Sequence, residues 1–285
     1  GGMGFPGWHM ECSAMSEKYL GKQFDIHGGG MDLAATHHTN EIAQSQACYH
    51  TSPARYWLHT NMLTVNGVRM SKSAGNGFLP EELFSGSHPL LEKAYSPMNV
   101  RFFMLQTHYR STLDFSNEAL QAAEKGLKRL WDAYEKLMSW ETGVGSQESG
   151  DKELDEKVRG LVAEFDEHMN DDFNTARVLA SMFELVPIIN SIKDKTIAIT
   201  ALSPDTVTLM QSKFKSYLED VFGLKAVNEA DNGKLQGVMQ LLIDIRKEAK
   251  GKKDFATSDK IRNQLAELGI TLKDEKGGEI SWGIE

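Results

Sequence analysis

A chain of 285 residues is long enough to form two or three packed domains. Its 40% hydrophobic and 25% charged residues are typical of a globular protein, and we expect no membrane span and no membrane partner. Only two cysteines occur, Cys12 and Cys48, which excludes a disulfide framework and favours a cytoplasmic location. The net charge of −9 argues against indiscriminate nucleic-acid binding, although a local basic surface stays open.

The first residues indicate that the chain starts inside a larger domain. Gly1 and Gly2 precede Met3, which we interpret as a cloning remnant. Residues with chemical functions begin at Trp8, with no preceding strand to hold them.

The N-terminal part of the chain predicts alternating strands and helices. Residues 23–27 are strand-like and stop at the glycines 28–30, which we interpret as a flexible turn where backbone can approach a ligand. A helix is predicted from about 36 to 48, followed by one extended strand over 56–65. Asn-Gly at 66–67 predicts a two-residue hairpin. This order is typical of half of a doubly wound sheet.

From about Phe84 onward the pattern is almost entirely helical. Ser116 is a predicted N-cap, and the apolar residues after it recur every three or four positions. These are Leu120, Ala123, Leu127, Leu130, Tyr134 and Leu137. A glycine-rich linker is predicted at 142–152. Three further helices are predicted near 153–169, 175–192 and 204–222, with a kink at Pro187 in the second.

The last region, from about 234, predicts two helices and a hairpin. The first helix carries Leu241, Leu242 and Ile245, and a basic stretch and a shorter helix follow. Residues 270–274 and 280–282 are predicted to be the two strands of the hairpin.

Cys12, His37 and Glu41 form the first candidate metal site. His37 and Glu41 are four residues apart, so on a helix they lie on one face and can share an ion, with Cys12 supplied by another element. Three protein ligands leave a tetrahedral zinc one open position. The alternative is a small buried cysteine and a hydrogen-bonded histidine, and His38 and Cys48 are competing ligands. Periodicity alone does not choose between them.

Three longer motifs carry a family resemblance. Residues 7–15 (GWHMECSAM), 24–33 (FDIHGGGMDL) and 37–44 (HHTNEIAQ) occur in this order. Together they resemble the zinc half of cysteinyl-tRNA synthetases, which are class I aminoacyl-tRNA synthetases.

The resemblance implies that Cys12, His37 and Glu41 bind one zinc ion. It further implies that a protein cysteine upstream of this chain completes the site, and that zinc ligates the substrate thiol. Zinc binds a thiolate strongly and a hydroxyl poorly, so such a site distinguishes cysteine from serine.

The same resemblance implies roles for four neighbouring residues. Trp8 and His27 would line the substrate pocket, and Gly29 and Asp32 would lie under the adenosine of ATP. The alternatives are ordinary packing for the two rings and a tight strand-to-helix turn for the glycines.

Residues 69–73 (RMSKS) resemble the KMSKS signature of class I synthetases, with arginine in the place of the first lysine. The resemblance implies that Lys72 contacts ATP, which is bound as a substrate with Mg²⁺. A mobile cation stabilises the charge that develops on departing pyrophosphate. Ser71, Ser73 and Gly75 keep the loop small and able to close. The alternative for any five such residues in isolation is a solvated polar loop.

Two later segments resemble the tRNA-binding parts of the family. Residues 170–176 (NDDFNTA) resemble its helical bundle, and 253–262 with Trp282 resemble its small C-terminal domain. Basic residues cluster around Phe255, at Arg246, Lys247, Lys250, Lys252, Lys253, Lys260 and Arg262. Single-stranded RNA is recognised by stacking and hydrogen bonds, but a charge run is also typical of a solvated helix face.

The resemblance therefore predicts an α/β fold, a partial Rossmann-type catalytic domain, followed by an α-helical bundle and a small C-terminal domain. The expected regions are 1–83 (zinc and KMSKS-like motifs), 84–145 (stem contact and connecting helix), 146–228 (anticodon-binding bundle) and 229–285 (anticodon recognition).

The implied activity is that of a monomeric, cytoplasmic ligase. It activates L-cysteine with ATP and transfers it to tRNA(Cys). We expect the isolated chain to be a poor catalyst, because the half of the family that carries the HIGH signature is absent from this sequence. Two alternatives are a non-catalytic tRNA- or zinc-binding fragment and a synthetase-related cysteine ligase that does not use tRNA. The tail argues against the second alternative, and no water-activating motif favours a zinc hydrolase.

Overall fold

The computed structural model describes residues 3–4, 7–141, 150–226, 229–268, 270–274 and 280–284. The chain divides into two compact units, Gly1–Ala226 and Val227–Glu285. Most of the linker predicted at 142–152 lies outside the described residues. The finer division into four regions stays a prediction.

A pair of parallel strands organises the N-terminal part of the first unit. β1 (Phe24–Gly30) follows α1 (Trp8–Leu20), and β2 (Ala54–Thr60) runs parallel to β1 with Ile26 opposite Tyr56. The connection between the strands is helical, as a parallel crossover requires. It consists of α2 (Met31–Leu33), a π-helical turn (Ala34–His38) and α3 (Thr39–Tyr49). The predicted α/β class is confirmed here.

Two strand predictions in this region are wrong in detail. The glycines 28–30 do not form a turn but complete β1, opposite Leu58–Thr60, because the neighbouring strand supplies their backbone partners. The stretch 56–65 is not one strand. It breaks after Thr60, where the Asn61 backbone N–H donates to Tyr109 O at 2.9 Å and its side chain donates to Arg110 O at 2.8 Å.

A second, three-stranded sheet follows. β3 (Leu63–Val65) pairs with β4 (Val68–Arg69) in an antiparallel hairpin and with β5 (Leu113–Phe115) in parallel. Asn66 and Gly67 have φ of 50° and 76°, so the predicted two-residue hairpin is confirmed. β5 lies inside the region predicted to be helical, and its pairing with β3 was not anticipated.

Helices form the rest of the first unit. α4 (Pro80–Ser85) and α5 (Pro97–Leu105) precede β5, and α6 (Asn117–Met138) follows it. The Ser116 hydroxyl accepts a hydrogen bond from the Ala119 N–H at 3.1 Å, which confirms the predicted cap. All six residues of the predicted apolar stripe are buried in α6.

A helical bundle follows, built from α7 (Lys152–Asn170), α8 (Thr175–Lys193) and α9 (Pro204–Lys215), which ends in a π-helical turn (Ser216–Val221). Phe165, Leu185 and Phe214 are fully buried between these helices. In the described part of the chain, α8 is long and apolar enough to cross a membrane by length and composition. Length and composition alone do not make α8 a membrane span. Half of the apolar window is buried, because α8 packs against α6 and α7 as a core helix.

The second unit is small and contains its own core. It consists of α10 (Glu229–Gly251), α11 (Phe255–Glu267), β6 (Ile270–Asp274) and β7 (Ile280–Ile284). β6 and β7 are antiparallel, with Leu272 opposite Trp282, so the predicted pair of strands is confirmed. Met239, Leu265 and Ile270 form the buried core, and Trp282 packs against it.

Candidate functional site

The three residues predicted to bind zinc come together from three elements. Cys12 lies in the middle of α1, His37 lies in the π-helical turn and Glu41 lies in the first turn of α3. Their ligand atoms all lie within 4.8 Å of one another. His37 Nε2 is 3.0 Å from Glu41 Oε1, as expected for a four-residue spacing on a helix.

The chemistry of this group fits a zinc ion. Glu41 is only 1% exposed, and its Oε2 accepts no hydrogen bond of adequate geometry although His27 Nε2 lies 3.1 Å away. A buried carboxylate oxygen without a hydrogen bond is costly unless a cation compensates it. Sulfur, imidazole nitrogen and carboxylate oxygen are zinc ligands, and zinc holds its ligands about 3–4 Å apart. Small adjustments of the three side chains would therefore suit the ion.

The surroundings of Cys12 favour the protonated thiol in the absence of a cation. Burial raises its pKa above the ordinary value, and the charges of Glu41 and Glu11 raise it further. Binding of a metal ion would favour the thiolate and release a proton, because only the thiolate is a strong ligand.

A cluster of rings lies beside the zinc ligands. The ring centroids of His38 and Trp57 are 5.0 Å apart, and His38 Nδ1 is 2.8 Å from His59 Nε2. Burial lowers the pKa of His38 to about 4, with further lowering from the neighbouring histidines at 27, 59 and 37. His38 therefore stays neutral at ordinary pH.

A second group of potential ligands shares Glu41 with the first. His27, His38 and Glu41 also bring their ligand atoms within 4.8 Å of one another. For a single ion the two groups are alternatives, because both use Glu41. The group that contains Cys12 is favoured for zinc because it offers a thiolate.

The two residues predicted to line the substrate pocket border the ligand group. The Trp8 ring lies 4.5 Å from the ring of His37 in an edge-to-face arrangement, although Trp8 itself is 63% exposed. His27 contacts Trp57, with the ring centroids 4.8 Å apart. The structure thus brings both side chains to the proposed zinc site, and their role toward a substrate stays a prediction.

Gly29 lies where the ring of His38 packs against β1. A Cβ atom at this position would approach His38 Cε1 to 2.7 Å and Leu33 Cδ1 to 3.1 Å. Packing therefore accounts for glycine here, independently of any nucleotide. Asp32 is exposed in α2, directly after the strand. The predicted contacts of Gly29 and Asp32 with ATP stay predictions.

Lys72 lies in an exposed loop between β4 and α4. Gly75 in this loop has a φ of 63°, which favours glycine. The hairpin before the loop is anchored by Asp114 of β5, whose Oδ1 accepts hydrogen bonds from Thr64 Oγ1 at 2.6 Å and Gly67 N at 2.8 Å. The loop that carries the lysine therefore extends from a firmly held base.

The sequence alone did not single out Trp57 and His59. Trp57 and His59 are two residues apart in β2, so their side chains lie on the same face of the strand. That shared face can be inferred from the sequence. The pattern does not say that this face meets His38, because the parallel register that places Gly29 opposite His59 is a tertiary feature.

The basic cluster of the second unit is mostly exposed, but one member is not. Arg246 is only 1% exposed, so it is wrong to count it with the surface cations. The other six basic residues are exposed, and Phe255 at the start of α11 is 62% exposed. Lys252 forms an ion pair with Glu248, four residues earlier. An exposed aromatic among cations is typical of single-stranded nucleic-acid contact, but also of a solvated helix.

Comparisons with known proteins find similarity to two domain families. Residues 1–125 match the family model of the class I tRNA synthetase (C) catalytic domain, and residues 164–227 match the DALR domain. A ternary LeuRS–tRNA–LeuAMS complex of Agrobacterium radiobacter K84 shares the fold over 71% of this chain and 27% of that chain, with a TM-score of 0.50 and 17% identity. The chain is therefore similar to the class I tRNA synthetases in its first 125 residues and to the DALR domains in residues 164–227.

Proteins named cysteine–tRNA ligase match nearly the whole of this chain. It is 48% identical to the cysteine–tRNA ligase of Parabacteroides distasonis over 96% of this chain and 54% of that protein. It is 47% identical to that of Cytophaga hutchinsonii over 100% of this chain and 56% of that protein. The chain thus spans just over half the length of these relatives.

Proposed function

We propose that this chain is the zinc-, ATP- and tRNA-contacting portion of a cytoplasmic, monomeric cysteine–tRNA ligase. The proposed reaction activates L-cysteine with ATP and transfers the cysteinyl group to tRNA(Cys). The observation that carries the proposal is the convergence of Cys12, His37 and Glu41, together with the buried Glu41 oxygen that accepts no hydrogen bond. The match to cysteine–tRNA ligases supports the choice of substrate.

Cys12, His37 and Glu41 would hold the ion in this scheme. The zinc supplies a Lewis-acid position that prefers a thiolate to a hydroxyl, which would select cysteine against serine. Trp8 restricts the ring of His37 from one side, since the two rings lie 4.5 Å apart. His27 stands 3.1 Å from the Glu41 oxygen that lacks a hydrogen bond and would orient that carboxylate toward the ion.

The lysine loop would act on the nucleotide. Lys72 is exposed and carries a positive charge at the end of a long side chain, so it is free to approach the phosphates of ATP bound with Mg²⁺. Gly29 and Asp32 would meet the adenosine at the end of β1. Binding at the carboxyl ends of parallel strands is the usual position for ligands in open α/β sheets.

The bundle and the second unit would contact tRNA. The match of residues 164–227 to the DALR domain supports this assignment for the bundle. In the second unit six exposed basic residues lie between positions 247 and 262, on both sides of the exposed Phe255 in the sequence. Cations together with an exposed ring suit unstacked bases of single-stranded RNA.

The zinc site is tested by metal content and by ligand selectivity. We expect the purified chain to retain about one zinc per chain after dialysis, and Cys12→Ala and Glu41→Gln to lose it. Cys48→Ala is the matched control, because Cys48 is the other free cysteine and is exposed. Full zinc retention by Cys12→Ala would contradict the assignment.

Cobalt replacement then tests the substrate. A thiolate bound to Co²⁺ gives a charge-transfer absorption, so L-cysteine should increase this band in the cobalt-loaded chain. L-serine, which differs only in its hydroxyl, should leave the band unchanged. An equal response to both amino acids would refute thiol selection by the metal.

A further inference from the structure

Asn76 is a buried polar residue at the end of an exposed loop. The four preceding residues, 72–75, are all exposed, whereas Asn76 is only 7% exposed. A buried amide needs hydrogen-bond partners, because leaving it unpaired costs free energy. The partners of Asn76 therefore show what the residue does.

The side chain of Asn76 connects the two ends of the lysine loop. Its Oδ1 accepts a hydrogen bond from the Ser71 N–H at 2.9 Å. Its Nδ2 donates to Arg69 O at 3.2 Å and lies 3.4 Å from Val68 O. Val68 and Arg69 form β4, where the chain enters the loop, and Asn76 stands where it leaves. One amide thus closes the base of the loop.

The remaining hydrogen bonds of the loop are local. Ser71 Oγ accepts from the Ala74 N–H at 3.2 Å, and the Gly75 N–H donates to Lys72 O at 3.2 Å. These contacts shape the turn but do not attach it to the strands. Among the described residues, two groups attach the loop to the strands at its base. They are the Met70 N–H, which donates to Leu63 O at 3.0 Å, and the side chain of Asn76.

We infer that Asn76 is a positioning residue for Lys72. By tying the exit of the loop to β4 and Ser71, the amide confines motion to residues 72–75 and keeps the lysine close to one resting position. Loop closure then orders few residues, which reduces its entropic cost. The inference rests on the proposed function, in which Lys72 acts on the phosphates of ATP.

Only an amide satisfies both halves of this arrangement. The site requires an acceptor for the Ser71 N–H and a donor for the strand carbonyls. Aspartate would place a carboxylate oxygen against those carbonyls, and alanine would leave the Ser71 N–H without its partner. Asn76→Asp is therefore the sharper variant, because it preserves size and shape.

Native-state digestion with trypsin tests the inference on the chain itself. Arg69 and Lys72 are trypsin sites at the base and within the loop, so mass spectrometry can follow cleavage after each. We expect Asn76→Asp to raise both cleavage rates about tenfold. Trypsin cleaves the locally opened loop, and the loss of one hydrogen bond increases the population of that open form by about this factor. Cleavage after Arg110, which is exposed outside the loop, should stay at the wild-type rate.

Asn66→Asp is the matched control. Asn66 is exposed in the same hairpin, and its φ of 50° is one that aspartate also tolerates. We expect wild-type cleavage rates for this variant. Wild-type rates in Asn76→Asp, or an equal acceleration after Arg69, Lys72 and Arg110, would overturn the inference. The second outcome would indicate general destabilisation.

A second arm of the experiment adds Mg²⁺ and ATP. We expect ATP to slow cleavage after Lys72 in the wild-type chain and to protect Asn76→Asp less at the same concentration. If ATP changes no cleavage rate in the wild-type chain, the proposed contact of Lys72 with ATP is overturned. The two hypotheses are tested separately. If Asn76→Asp is cleaved faster than wild type without ATP, the attachment of the loop by Asn76 is supported even when the contact of Lys72 with ATP is not.

Discussion

Replacing Gly29 with alanine tests whether packing behind the metal ligands requires this glycine. The new Cβ would lie 2.7 Å from His38 Cε1 and 2.9 Å from Nε2. The ring has little room to move, because His38 is 3% exposed and its Nδ1 stays 2.8 Å from His59. Overpacking of this kind costs about 1–3 kcal/mol. The melting temperature then falls by roughly 2–4 °C per kcal/mol in a chain of this size.

Gly28→Ala is the matched control for this prediction. At the adjacent position of the same strand a Cβ meets only Leu58 O, at 3.6 Å, which is an ordinary contact. Neither glycine has a positive φ, so alanine adds no backbone strain at either position. We expect the melting temperature, measured by circular dichroism without zinc, to fall in Gly29→Ala and to stay at the wild-type value in Gly28→Ala. Equal melting temperatures for the two variants would refute the packing argument.

Three further predictions concern stability. Burial would raise the pKa of Asp155, but hydrogen bonds, including one from a backbone N–H at 2.7 Å, outweigh it and lower the pKa. The Asp155 carboxylate therefore stabilises the folded state at pH values above about 3.9, the pKa of this group in the unfolded chain. This stabilisation is lost as the pH falls through the pKa of the group in the folded chain. Asp155→Asn should lower the unfolding free energy by about 1.5–3 kcal/mol at pH 7 and by less near pH 3, as measured in urea; a constant difference would contradict this. Tyr109→Phe removes the hydroxyl that donates to Asp172 and should cost about 1.5–3 kcal/mol in the same assay; an unchanged urea midpoint would count against that contact. Gly86→Ala should lower the melting temperature more than Gly67→Ala. Both glycines have positive φ, but only a Cβ atom at position 86 would clash with backbone, at 2.5 Å. Similar melting temperatures for the two variants would show that this clash is relieved.

The helices were largely predictable from the sequence because their signals are local. The stripe of α6 recurs with the helical period, and the Ser116 cap is a short-range interaction. The Asn-Gly turn at 66–67 was predictable for the same reason, since its positive φ values favour these residue types.

Features that depend on distant partners were not predictable. A run of glycines signals a turn, yet 28–30 are held as strand by pairing with 58–60. The break at Asn61 depends on carbonyls of residues 109 and 110, which lie far along the chain. β5 is three residues long, too short for any period to show.

The candidate site divides in the same way. The spacing of His37 and Glu41 predicts a shared face, and their 3.0 Å contact agrees with it. Only the family resemblance favoured Cys12 over Cys48 as their partner, because no local signal relates α1 to α3. The ring contacts of His38 depend on the register of β2, which periodicity does not supply.

The parallel pairing of β3 with β5 has a consequence for synthesis on the ribosome. Thr64 and its partner Asp114 are 50 residues apart, so the hairpin below the lysine loop gains its anchor only after that stretch has emerged. At about 5–20 residues per second this delay is about 3–10 s. During that interval the edge of β3 in the nascent hairpin has no partner strand. A molecular chaperone that shields unpaired strand edges would act during this interval.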